Sequence, residues 1–191
     1  MGHQALLHNK KTFLLFFAII ACNFQQNDTL IFNINKFELN QKSGITFYKN
    51  MPFNGLVYEL YENSLDTLLT GNYKNGTKNG IWKKYYPNGK LLESRKYVNG
   101  IKEGDHIGYY PDGKIKFVFQ LKNNEYNGFR KAWTKKGNLI LHMNYKNGYE
   151  AGSQKVWYNS GIIKSNYILK NGRRYGLFGT KNCINVKDSI F

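Results

Sequence analysis

The chain has 191 residues, a formal net charge of +16, and a composition rich in Gly (19), Tyr (15) and Phe (13) but holding only 3 Pro. That length suits one domain, and the glycines and aromatics recur too often to leave an uninterrupted window for a long helix. Two cysteines exclude a disulfide scaffold. Lys+Arg 28 against Asp+Glu 12 means either a solvated surface or an anionic partner such as lipid head groups, a cell-surface polymer or an acidic protein.

The first 21 residues read as an address. Lys10 and Lys11 precede an apolar run at 13–21 (FLLFFAIIA), followed by Cys22. Nine apolar residues are too few for a permanent span but suit a secretory h-region. The sequence Ile19-Ile20-Ala21-Cys22 resembles a bacterial lipobox, which implies cleavage before Cys22, lipidation of Cys22 and anchoring in the membrane of the cell envelope. The alternative is an ordinary signal peptide in which Cys22 is incidental; the stretch before Lys10 is also long for such a leader, and a later start is a further alternative. Residues 22–42 are polar and Asn/Gln-rich, a tether with a short strand near 30–34. Cys183 reads as an idle thiol.

From 43 to 178 the chain repeats. Glycines that open a strand fall at Gly80, Gly104, Gly128, Gly152 and Gly176, each 24 residues after the last. Turn glycines at Gly89, Gly113, Gly137 and Gly161, and closing residues Tyr73, Tyr97, Leu121, Tyr145 and Leu169, keep the same spacing. A register this strict marks a repeat array. Each unit holds two strand-length segments joined by a turn such as Pro87-Asn88-Gly89, which suits a three-residue hairpin loop with glycine left-handed and places Tyr86 opposite Lys90 and Tyr85 opposite Leu91. The fold class expected is all-β: one domain, an elongated, twisted antiparallel meander of stacked 24-residue hairpins. Residues 43–55 depart from the register as an N-terminal cap, and 179–191 form a C-terminal tail or cap over the far edge.

Strict alternation from that turn sorts the side chains into two faces. Tyr85, Tyr109, Trp133 and Trp157 fall with Tyr97, Leu121, Tyr145 and Leu169 on the side expected to be the core. The other side carries Trp82, His106, Arg130 and Gln154 at one position, and Tyr86, Tyr110, Thr134 and Tyr158 at another, with Lys84, Lys116 and Lys164 nearby. Variation at equivalent positions, flanked by tyrosines and cations, is expected of a binding face on a repeat scaffold. The binding-face candidates are Trp82, Tyr86, His106, Tyr110, Arg130, Tyr158, Lys84, Lys116 and Lys164.

The copies YKNGTKNGIWKKYYPNGKL, YVNGIKEGDHIGYYPDGKI, LKNNEYNGFRKAWTKKGNL and YKNGYEAGSQKVWYNSGII resemble the variant MORN repeat of the bacterial YwqK-type proteins. The upstream GITFYKNMPFNGLVYELYENS, with its Pro-Phe-x-Gly, is similar to the segment that precedes the repeats in that family. The likeness covers about 43–178. Asn124 replaces a loop glycine, and Lys136 and Ser160 replace the turn Asn/Asp. The resemblance implies protein–protein or membrane-lipid contact, and the family's "antitoxin" label implies neutralisation of a toxin protein.

The residues themselves carry no catalytic arrangement. His106 and His142 stand alone in their repeats without a Cys/His/Asp partner at metal spacing, carboxylates form no repeated pair, and no nucleophile elbow or phosphate loop occurs. The expectation is therefore a non-enzyme without metal or cofactor, a membrane-anchored scaffold that binds another protein in the bacterial envelope. The alternatives are neutralisation of a toxin, or electrostatic adhesion to anionic lipid or polysaccharide. Aromatic-plus-basic strands also suit nucleic acid, but export argues against it.

Overall fold

A computed structural model describes residues 31–34, 36 and 38–179. The expected leader at 1–21, Cys22 and the residues from Thr180 onward, including Cys183, lie outside the described residues.

The described chain is all-β. Near the N-terminus stand β1 (Ile31–Asn33), β2 (Leu39–Lys42), β3 (Ile45–Tyr48) and β4 (Met51–Pro52). The array follows as β5 (Gly55–Leu60), β6 (Thr67–Lys74), β7 (Thr77–Tyr85), β8 (Leu91–Val98), β9 (Ile101–Tyr109) and β10 (Ile115–Lys122). It continues through β11 (Glu125–Trp133), β12 (Leu139–Lys146), β13 (Tyr149–Glu150), β14 (Gly152–Trp157), β15 (Ile163–Lys170) and β16 (Arg173–Leu177). From β5 to β12 each strand pairs antiparallel with the next in one long sheet, as the 24-residue register predicts; β13 and β14 both pair with β12, and β14, β15 and β16 continue the order. β1 lies parallel along β5, and β2–β4 form a separate three-stranded sheet.

Two kinds of turn alternate. At one end of each hairpin Tyr86 N–H donates to the Lys90 carbonyl at 2.8 Å and Gly89 N–H to the Tyr86 carbonyl at 2.9 Å, which closes the expected three-residue loop. At the other end two-residue turns such as Asn99-Gly100 hold φ of +49° and +82°, the left-handed pair that matches strand twist. Asn124 keeps the same conformation at φ +69° in place of glycine, because asparagine tolerates that region.

The hairpin pairs as expected at its tip and then slips. Tyr85 faces Leu91, but Lys84 faces Glu93, so Leu92 is an extra residue with no partner. The same bulge recurs at Leu68, Lys116, Ile140 and Lys164, each 24 residues from the last. A one-residue bulge reverses which later side chains share a face. Tyr97 therefore lies on Trp82's face and away from Tyr85. The expected core side is corrected accordingly: Trp82, His106 and Gln154 are 5, 8 and 0 % exposed, whereas Tyr85, Tyr109, Trp133 and Trp157 are half-buried on the opposite side.

Packing is tightest near the N-terminus. Phe53 meets Phe32 edge-on at 4.9 Å and Tyr73 at 5.7 Å; Tyr73 meets Trp82 at 5.1 Å, and Trp82 meets Tyr97 at 6.2 Å. Such contacts contribute ~0.5–1.5 kcal/mol each beyond area burial. The β2–β4 sheet thus caps the Trp82 face, bound through Thr46 N–H to the Gly76 carbonyl and Gly76 N–H to the Phe53 carbonyl, both 2.8 Å. In the segment expected as a tether Phe32 is 6 % exposed, opposite Val57, and β1 lies where a short strand is expected near 30–34. Room for Trp82 comes from Gly71, where an added Cβ would lie 2.3 Å from the indole.

That contact yields a double-mutant test. Gly71→Ala in the wild-type background should cost about 1–3 kcal/mol by urea unfolding, through displacement of the indole. In a Trp82→Leu background the same change should cost less than half as much. Equal costs in both backgrounds would show that the glycine is not there to admit the ring.

Candidate functional site

The nine candidate residues do not share one surface. Trp82, Lys84, His106 and Arg130 project to the packed face, three of them from the position two residues after the strand glycines Gly80, Gly104 and Gly128. Tyr86 and Tyr110 sit at hairpin tips, half-buried, and their hydroxyls donate to the carbonyls of Tyr109 (2.8 Å) and Trp133 (2.7 Å) in the following repeat. Tyr61 does the same to Tyr85 at 2.6 Å. These are ties between neighbouring repeats. Lys116 and Lys164 are the bulged residues themselves, their ammonium groups 5.8 and 5.6 Å from the rings of Tyr110 and Tyr158. The single binding face expected from these nine is corrected for the exposure of Trp82 and His106, which face inward.

What the inward column does is supply donors. The register slips a second time beside each strand-opening glycine, at Thr70/Asn72 and Arg95/Tyr97 for example, and such a slip frees backbone groups from the ladder. Trp82 Nε1–H donates to the Asn72 carbonyl at 3.1 Å. Three repeats on, Gln154 Nε2–H donates to the equivalent Asn144 carbonyl at 2.8 Å and to the Ala151 carbonyl at 3.1 Å, while its Oε1 accepts from Asn144 N–H at 3.1 Å. A fully buried glutamine is therefore satisfied. Indole and amide perform one task at one position.

Between them the packed face becomes ionic. His106 Nε2 lies 3.0 Å from Glu93 Oε2, with the Arg95 guanidinium across the imidazole at 3.1 and 3.3 Å from its two nitrogens. Phe117 and Phe119 stand edge-on to His106 at 5.0 and 5.7 Å. Arg130 lies 4.8 Å over Phe119 and 5.5 Å over Tyr126, and Lys78 lies 4.2 Å over Trp82. Beside this cluster Lys78, Lys84, Glu93 and Arg95 line a small cleft of ≈ 140 Å³ floored by Trp82 and Tyr97. The hydrogen bond to His106, then the charges of Arg95 and Lys84, hold the Glu93 carboxyl at about 2 against partial burial, which acts the other way. The arrangement neutralises charge within a packed layer; among the described residues no group of three metal-ligating side chains converges.

The residues left available are those the sequence assigned to the core. Tyr85, Tyr109, Trp133 and Trp157 occupy the open face, one per repeat, opposite Leu91, Ile115, Leu139 and Ile163. Lys83, Lys131 and Lys155 precede three of these rings by two positions on the same face. His142, paired with both Lys131 and Lys155, has its pKa lowered by burial and then by those two ammonium groups. Leu56, Tyr58, Ile81, Lys83 and Tyr85 border a shallow depression of ≈ 420 Å³ at the N-terminal end of this face. A signal was present in the sequence: glycine at 71 and 108 leaves room on the Trp82 side for Trp82 and Phe117, whose atoms an added Cβ would approach to 2.3 Å.

The Glu93 carboxyl gives a pH test. Its folded value is about 2 against an ordinary 4.5, so the unfolded chain takes up a proton first as pH falls. The carboxylate's contribution is fully present above pH 4.5 and is lost as pH falls toward 2. In Glu93→Gln that loss is absent, so the gap in urea midpoint between wild type and variant should close between pH 4.5 and 2. A gap that stays constant over this range would contradict the cluster.

No curated protein matches the chain significantly. Two adjacent units of the array, residues 78–99 and 102–123, match the family model of the MORN repeat variant. MORN repeats in general are non-catalytic scaffolds that bind proteins or membranes, and the antiparallel hairpin array is consistent with such repeats.

Proposed function

We propose that the chain is a non-enzymatic repeat scaffold, lipid-anchored through Cys22 in the bacterial envelope, that holds an extended partner along the open face of its sheet. The observation that supports this reading is the recurrence of one half-buried ring, with a lysine two positions before it in three of four repeats, on a face that no other described element covers. A surface with equal sites at equal intervals suits a long partner, because each further repeat engaged adds to avidity without new chemistry. The charge of +16 favours an acidic partner. A protein partner is the reading carried by the repeat class, and toxin neutralisation is its special case. Adhesion to an anionic polymer is the second reading, favoured by the row of lysines.

Two measurements test it. In cells producing the full chain, Cys22→Ala should move the protein from the membrane fraction to the soluble one; an unchanged distribution would overturn the anchor. A photo-crosslinking residue placed at Lys131 on the open face should yield adducts, and one at Lys78 on the packed face should not. Adducts from Lys78 alone would put the working surface on the other side.

A further inference from the structure

The geometry points to a linear, acidic, β-1,4-linked glycan as the partner of the open face, laid across the strands with one disaccharide per repeat. This rests on the reading that the open face is the binding surface and adds the chemistry of what binds there.

Three observations carry it. The first is period. Two strands advance the sheet by ~10 Å per repeat, which matches one disaccharide of a β-1,4-linked chain, a two-fold ribbon whose like faces and like substituents recur every second sugar. The C–H face of a pyranose packs on an aromatic ring, and Tyr85, Tyr109, Trp133 and Trp157 offer one ring at each such interval. None of the four stacks on another among the described residues, so each is a separate platform.

The second is rigidity. The backbone beneath three of the rings is tied to the preceding repeat, through the Tyr61, Tyr86 and Tyr110 hydroxyls on the carbonyls of Tyr85, Tyr109 and Trp133. Ring spacing is thereby fixed before any ligand arrives, which lowers the ordering cost of binding. At the equivalent place before Trp157 stands Thr134, whose hydroxyl accepts from Asn138 N–H instead.

The third is charge. Lys83, Lys131 and Lys155 stand two positions before three of the four rings, with Ile107 at the place before Tyr109, and no ion pair engages any of the three among the described residues. In a two-fold ribbon one carboxylate of each disaccharide faces the same side, so each of the three lysines meets one carboxylate, in three of the four repeats. Ser94, His142 and Asn166 pair with these lysines across the strands and present hydroxyl, imidazole and amide groups to sugar hydroxyls. His142 has its pKa lowered first by burial and then by the charges of Lys131 and Lys155, which stand on the same face. An extended peptide repeats every two residues, ~7 Å, and misses this period. A polyproline helix turns every ~9 Å and comes closer, but it has no hydroxyls for the polar groups beside each lysine.

The test is titration of the full chain with β-1,4-linked mannuronate oligomers of two, four, six and eight sugars, read by calorimetry and tryptophan emission. Affinity should rise with each added disaccharide up to eight sugars, and Trp133→Ala or Trp157→Ala should each weaken the octamer at least tenfold with melting curves unchanged. The triple change Lys83→Gln, Lys131→Gln, Lys155→Gln should remove most of the salt dependence. Affinity independent of length, or equal in the tryptophan variants, would overturn the inference as charge alone. Poly-glutamate and an acidic proline-rich peptide are the comparison ligands. If either binds with tryptophan sensitivity while mannuronate does not, the glycan is wrong and the open-face reading stands. If nothing binds and Lys131 also gives no crosslink in cells, both fail.

Discussion

The structure depends on one unpaired residue beside the tip of every hairpin. Leu68, Leu92, Lys116, Ile140 and Lys164 each add a residue to one strand without a partner on the other. Because strand side chains alternate, that residue decides which columns meet. It joins the Trp82 column to the Tyr97 column and builds the packed face from them. It leaves the rings at the hairpin ends with the polar residues of the second strand.

On that packed face one position changes identity while keeping its duty. Trp82 packs among rings beneath the β2–β4 cap and also donates to a carbonyl freed by the slip beside Gly80. Gln154, fully buried, lies away from the β2–β4 sheet and fills the equivalent gap with its amide. His106 sits between Glu93, Arg95 and two phenylalanines, so polar chemistry replaces aromatic bulk where the cap ends. A single hairpin could bury none of these groups. Each is sheltered by its neighbours, and the hydroxyl ties from Tyr61, Tyr86 and Tyr110 lock successive repeats at their tips. At the far end β16 is exposed along its length, with Tyr175 and Phe178 55 and 58 % exposed.

The array itself was legible from the glycines, because a positive φ at a fixed interval leaves a mark that few other residues can carry. The turn at Gly89 and the pairing of Tyr86 with Lys90 followed from the same chemistry. The assignment of faces did not follow. A bulge made of Leu92 in one repeat and Lys116 in another has no residue signature, and alternation carried through it exchanges core and surface. Trp82 and Trp133 are the same residue type, so hydrophobicity could not separate them; only the glycines opposite, Gly71 and Gly108, mark the crowded side. Gln154 was legible as a polar residue, and polarity argued for solvent. Its burial follows from backbone groups whose need for partners arises only in three dimensions.

Exchanging the faces exchanges the functional surface. The accessible rings lie on one side, one per repeat, with a lysine two positions before three of the four, and it is on these that the proposed extended partner depends. Since the chain has three tryptophans, the exchange is open to direct measurement by iodide quenching. In the Trp133→Phe, Trp157→Phe protein Trp82 is the last indole. The structure requires its emission to be blue-shifted and nearly insensitive to iodide, with the quenchable part of the wild-type signal gone. Trp82 emission quenched as readily as that of the wild type would place it in water and contradict the bulge, the packed face and the open face together.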